Sequence, residues 1–185
     1  MEVTFLRHGI AVDRDDPVAP SDFSRPLTID GKHKLEASLR GLKGLSVRPE
    51  LIVTSPYLRC VQTATLAAKA LDLSKRTIQE RETLLPGAAP ADFWTDLMSV
   101  VPRERVLVVG HGDTLEPIAG YALGFPVDTA EPGISTLALR VLHLKKGGAL
   151  QLSLPSLADP SAFAARPAEL VWLAPPRLLR QIGRA

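Results

Sequence analysis

The chain has 185 residues, of which 45% are apolar and 23% charged, and its formal net charge is +2. That balance suits one globular domain over residues 1–185, and so small a charge makes no case for nucleic acid. The single cysteine, Cys60, excludes an internal disulfide and a cysteine-built zinc site, and no run is long and apolar enough to span a bilayer.

The first element expected is a strand over Val3–Leu6, a short unbroken apolar run suited to burial on both faces. No basic-then-apolar leader precedes it, so a cytoplasmic protein is expected. Thr28 is placed to cap a helix whose Leu35, Leu39 and Leu42 recur at helical spacing. Gly44 and Pro49 separate that helix from a second strand, Leu51–Val53. After Pro56, Tyr57–Leu71 reads as a helix with Val61, Ala64, Ala68 and Leu71 on one stripe. A third apolar strand, Val106–Val109, leads to a helix over Leu115–Leu123. Leu137, Leu139 and Val141 alternate with polar or small residues as a strand does. Lys145-Lys146-Gly147-Gly148 then signals a turn, with Leu150–Leu154 as the returning partner. Pro155–Pro167 reads as a loop, Glu169–Leu173 as a last strand and Arg177–Ile182 as a short helix behind two prolines. Alternating strands and helices imply an α/β domain with a largely parallel sheet. There is no internal repeat and no second domain.

Each of the three central apolar runs ends in polar residues. The first ends in Arg7-His8-Gly9. The second ends in Thr54-Ser55-Pro56 and reaches Arg59 one turn later. The third ends in Gly110-His111-Gly112. Ligands of parallel α/β sheets bind beyond the carboxyl ends of the strands, so neighbouring strands would gather two arginines and two histidines at one edge. Guanidinium forks suit phosphate oxygens, and imidazoles donate hydrogen bonds or act as nucleophiles. A tetrahedral oxyanion fits this set. A metal fits poorly, because arginine does not ligate metals and no carboxylate adjoins both histidines. Ser55 has no evident base. Cys60 also lacks one, and is expected to be an inert part of the helix stripe.

"LRHG" near the N-terminus, "SPYLRCVQT" (Ser55–Thr63) and the Gly110-His111 pair together resemble the histidine phosphatase superfamily, also called phosphoglycerate mutase-like. "SRPLTIDG" (Ser24–Gly31) and "ELVWLAPPRLLRQI" (Glu169–Ile182) are most similar to its SixA-type phosphohistidine phosphatases. The resemblance implies a three-layer α/β/α sandwich with a largely parallel central sheet. It implies that His8 is the nucleophile that becomes a phosphohistidine, with Arg7, Arg59 and His111 holding the phosphoryl oxygens. It requires no metal and no organic cofactor. The partner it implies is a protein carrying phosphohistidine, with a small phosphate ester as the second possibility and inorganic phosphate as product. A non-catalytic phosphoprotein-binding module is opposed by the presence of all four pocket residues. No partner chain is called for, so a monomer is expected.

A departing alkoxide needs a proton. Glu82, in "ERETLLPG", takes the position similar to the superfamily's general acid, and Asp113 is the other candidate. An ordinary surface turn would instead pair Glu82 with Arg81 or Arg103. Asp13 and Arg25 flank the first loop and are placed either to pair across it or, for Arg25, to line the substrate mouth. His33 is expected on the surface, and His143 has no assigned role.

Overall fold

The structure, a computed structural model, describes residues 1–99, 104–125, 141–155, 163 and 166–184. Its strands are β1 (Glu2–Arg7), β2 (Leu51–Thr54), β3 (Ile78–Glu80), β4 (Arg105–Gly110), β5 (Ala149–Ser153) and β6 (Glu169–Ala174). They form one sheet in the order β3-β2-β4-β1-β5-β6. The four strands from β3 to β1 run parallel, while β5 and β6 are antiparallel additions at the β1 side.

The continuous apolar runs have a physical reason. Successive side chains of a strand point to opposite faces, and both faces of this sheet are covered. Val3, Phe5, Val53, Val106 and Val108 enter one core. Their neighbours Leu6, Ile52, Leu107 and Val109 enter the other. Helices α3 (Pro90–Ser99) and α4 (Gly112–Ala122) cover the first face, through Phe93, Trp94, Leu97, Leu115 and Ile118. Helices α1 (Ile29–Gly44), α2 (Leu58–Ala70) and α5 (Pro176–Ile182) cover the second, through Leu35, Leu39, Leu42, Ala64, Ala68 and Leu179. Each fully buried leucine contributes roughly 1.5–3 kcal/mol, so this two-faced burial drives the three-layer arrangement.

Local signals set the ends of the helices. Thr28 caps α1, its Oγ1 accepting from the Gly31 N–H at 2.8 Å, which satisfies one of the free donors of the first turn. Helices α1 and α5 touch backbone to backbone at Gly41, where a Cβ would overlap the main chain of Leu179. The absence of a side chain at that position permits the close approach.

The register levels the strand ends. Arg7 lies opposite Gly110, and Thr54 opposite Val109. The pairing continues one residue further, with His8 N–H donating to Gly110 O at 3.0 Å and Ser55 N–H to Val109 O at 3.0 Å. The three polar clusters therefore stand side by side at the carboxyl edge, with β4 in the middle.

Some expectations are corrected. Residues 149–153 do form a strand, but it pairs with β1 and β6 rather than with the Leu137–Val141 run. That run falls outside the described residues apart from Val141, which is helical. Most of Pro155–Pro167 also lies outside them. β3 and α3 were not expected from the sequence. β3 has only three residues, Ile-Gln-Glu, too few to show a period. α3 did carry a signal, with Pro90 at its start and Phe93, Trp94 and Leu97 on one face. Among the described residues, no helix is long and apolar enough to cross a membrane.

Candidate active site

Each pocket residue is set by a strand end. β1 delivers Arg7 and His8. β2 turns through Ser55 into α2, whose first turn carries Arg59. β4 delivers His111, which stands at the N-cap of α4. The structure brings all four together. The rings of His8 and His111 meet edge to face with centroids 5.3 Å apart. Arg59 Nη2 lies 3.2 Å from His111 Nδ1. The Arg7 guanidinium rests on Gly112, where a Cβ would stand 2.9 Å from Arg7 Cζ, so this glycine makes room for it beside His111.

His8 is 5% exposed. Its Nδ1 is 2.7 Å from Gly9 O. A carbonyl only accepts, so Nδ1 carries the proton and Nε2 keeps its lone pair. Burial pushes the imidazole down to about 3; the Gly9 bond opposes this, while His111, Arg59 and Arg7 add to it. His111 is pushed down to about 4, again mainly by burial and then by Arg59, with Asp113 and Asp22 acting in the opposite sense. Both rings are therefore neutral near pH 7. Arginine only donates, so His111 Nδ1 accepts from Arg59 and its Nε2 carries the proton. That proton is directed to Ser55 Oγ at 3.1 Å.

This tautomer decides two minor questions. Ser55 does have a histidine beside it, contrary to the reading from sequence, but that nitrogen is a donor and cannot serve as its base. Cys60 Sγ lies 3.6 Å from the same Nε2, again a neighbour the sequence did not suggest. Burial pushes its thiol up to about 12, so it stays protonated and inert.

Arg7 Nη1 donates to Leu144 O at 2.6 Å. Its Nε is buried without a hydrogen-bond partner among the described residues. Leu144 is held in turn by Glu116, whose Oε1 accepts the Leu144 N–H at 2.8 Å. Burial raises the Glu116 carboxyl above its ordinary value. His143, which had no assigned role, lies on the exposed side of Glu116 at 3.8 Å.

Asp22 is the residue the sequence reading missed. Its main-chain oxygen accepts from Arg59 Nη1 at 2.6 Å and its Oδ2 from Nη2 at 3.2 Å. Arg25 also turns to Asp22, at 2.6 Å, and not to Asp13. Its Nε donates to Val12 O at 2.7 Å. The available signal was the three-residue spacing of Asp22 and Arg25.

Glu82 stands apart from this network. It is exposed and opens a single 3-10 turn, Glu82–Leu84, just beyond β3. The strand order places it at the same sheet edge, on the far side of β2. Its carboxylate makes no hydrogen bond or ion pair among the described residues. Arg81, its expected surface partner, pairs with Asp96 at 3.3 Å, and Arg103 lies outside the described residues. Asp113 is exposed on the first turn of α4. His33 is exposed on α1, as expected.

The fold is an α/β sandwich whose central strand ends gather two arginines and two histidines at one edge, and comparison with known proteins gives its class. Residues 3–84 match the histidine phosphatase superfamily (branch 1). An uncharacterized protein of Picosynechococcus sp. (strain PCC 7002) is 34% identical over 140 residues, covering 72% of this chain and 82% of that protein. Phosphohistidine phosphatase SixA of Escherichia coli K12 is 29% identical over 152 residues, 80% of this chain and 88% of that one. A solved structure of SixA complexed with tungstate superimposes with a TM-score of 0.71 at 24% identity, covering 96% of this chain and 98% of that one. The chain belongs to the histidine phosphatase superfamily and is a phosphatase, a hydrolase of phosphorylated substrates.

Proposed function

We propose that this phosphatase removes the phosphoryl group from phosphohistidine on a protein, with His8 as nucleophile. In the first step a bond forms between His8 Nε2 and phosphorus as the bond to the leaving group breaks. Arg7 and Arg59 neutralise the charge on the equatorial oxygens. A substrate imidazole protonated at its distal nitrogen departs as neutral imidazole. In the second step a water oxygen attacks phosphorus, the bond to Nε2 breaks, the water proton passes to solvent and orthophosphate leaves. What supports His8 in this role is its neutral, buried ring, with the proton held on Nδ1 by Gly9 O. The four residues come from one chain, which we read as a single domain working as a monomer.

One observation carries the choice of substrate. Among the described residues, the one carboxylate hydrogen-bonded to a pocket side chain is that of Asp22, and Asp113, two residues beyond His111, is exposed on the first turn of α4. Asp22 is held deprotonated, below the usual carboxylate range, against the desolvation that opposes it: Arg25 and Arg59 act on it by hydrogen bond and charge. Glu82 is outside the contact network. An ester alkoxide depends on such an acid, whereas imidazole is a better leaving group and needs little help. The resemblance to SixA points the same way.

Leaving-group dependence tests this. Glu82→Gln is expected to leave turnover of a phosphohistidine protein and of an aryl phosphate within about threefold of the parent. General acid catalysis typically supplies about 10²–10⁴-fold. A loss of that size on the phosphohistidine protein would contradict the assignment, and one confined to an alkyl phosphate would make Glu82 an acid for esters.

A further inference from the structure

We propose that Asp22 is a positioning residue for Arg59: it fixes the guanidinium in the pocket before substrate arrives. The proposal rests on reading Arg59 as a phosphate ligand. Arg59 has five N–H donors. Nη1 gives one to the main-chain oxygen of Asp22 at 2.6 Å. Nη2 gives its two to Asp22 Oδ2 and His111 Nδ1, each at 3.2 Å. The Tyr57 ring lies under the guanidinium, 4.6 Å from Cζ. These contacts fix one edge and one face of the fork. The Nε–H and the second Nη1–H remain without a protein partner among the described residues, and those are the donors left for a phosphoryl oxygen.

The loop bearing Asp22 is itself anchored. Leu58 N–H donates to Phe23 O at 3.0 Å, which ties the loop to the start of α2. Arg25 reaches Asp22 Oδ1 at 2.6 Å and Val12 O at 2.7 Å, so it braces both strands of the loop. Arg14 approaches the same carboxylate at 3.5 Å.

A carboxylate beside a phosphate site invites the opposite reading, that Asp22 competes with the incoming anion for Arg59. The charge balance opposes it. Three guanidiniums surround one carboxylate, so the group stays net positive and still attracts a dianion. Arg59 also meets Asp22 with one edge only, so a phosphoryl oxygen can be bound without displacing it. A long side chain fixed in advance loses no further rotamer freedom on binding.

The two readings differ in the sign of one measurement, the inhibition constant of orthophosphate against aryl phosphate turnover. It is to be measured for the parent, Asp22→Ala, Asp22→Asn, Arg59→Lys and the Arg59→Lys/Asp22→Ala double variant. Asp22→Ala is expected to weaken orthophosphate about tenfold, the size of one charge-assisted contact partly screened by solvent, and to lower kcat along with it. Asp22→Asn keeps the shape of the loop and is expected to fall between, which covers the case of an alanine variant that folds poorly. In the Arg59→Lys background the same alanine change is expected to cost less than twofold, because its target is gone. Unchanged or tighter orthophosphate binding in Asp22→Ala overturns the proposal, and so do equal losses in both backgrounds. If Arg59→Lys weakens orthophosphate and Asp22→Ala does not, only the role of Asp22 fails. If Arg59→Lys itself has no effect, Arg59 is not a phosphate ligand and both readings fall.

Discussion

His8 and His111 are held neutral by burial, and this ties stability to pH. Their folded values, about 3 and about 4, lie below the ordinary 6.5 of an unfolded histidine. Above pH 6.5 neither state binds the proton and the contribution is complete. As pH falls below 6.5 the unfolded chain takes up protons that the fold refuses, so stability is lost until the pH passes the folded values. Near pH 5 two such histidines give a slope of about 2.7 kcal/mol per pH unit. Urea unfolding at pH 5, 6 and 7 should show this fall, and His111→Asn should roughly halve it. An identical slope in the variant would mean that His111 is already charged in the fold. Glu116 gives a second test. Glu116→Ala leaves the buried Leu144 N–H unpaired, at a cost of about 1–3 kcal/mol, and loosens the carbonyl that holds Arg7. Glu116→Gln keeps an acceptor, so its thermal midpoint should lie well above that of the alanine variant. The residue types of the pocket were legible because each follows an apolar run. Asp22, Ser55 and Glu116 were not, since their partners are 37, 56 and 28 residues away and only the folded chain joins them.

Whole elements tell a related story. β1, β2 and β4 announce themselves because burial on both faces leaves no charged position inside them, so each run stops where the site begins. β3 is too short to carry a period, whereas α3 carries Phe93, Trp94 and Leu97 on one buried face. The Leu150–Leu154 run forms a strand, but an apolar run does not name its neighbour, and its partners are β1 and β6. Two substitutions separate the structural role of an element from its role in the site. Thr28→Ala removes the α1 cap and should cost about 1 kcal/mol with turnover unchanged; a matching loss of turnover would place Thr28 in the pocket. Gly112→Ala sits at the start of α4 and drives a Cβ against Arg7. It should leave the thermal midpoint within a few degrees while weakening orthophosphate inhibition, because the guanidinium must shift. A normal inhibition constant in that variant would remove Arg7 from the phosphate site.

At the scale of the molecule, the parallel part of the sheet exists to bring four side chains from distant parts of the chain to one edge. Two stacked cores on either side of it leave the polar strand ends nowhere to go but into a shared pocket. The proposed mechanism asks of this edge two fixed guanidiniums, a neutral imidazole and a good leaving group. The central claim is that His8 is the nucleophile. It is tested most directly by quenching the enzyme during turnover of a phosphate-labelled substrate and locating the label. Label on His8, stable in alkali, labile in acid and absent from His8→Ala, is the expected result. Label that persists on the His8→Ala protein, or a wild-type enzyme that turns over with no label on His8 in acid-free quenching, would contradict it.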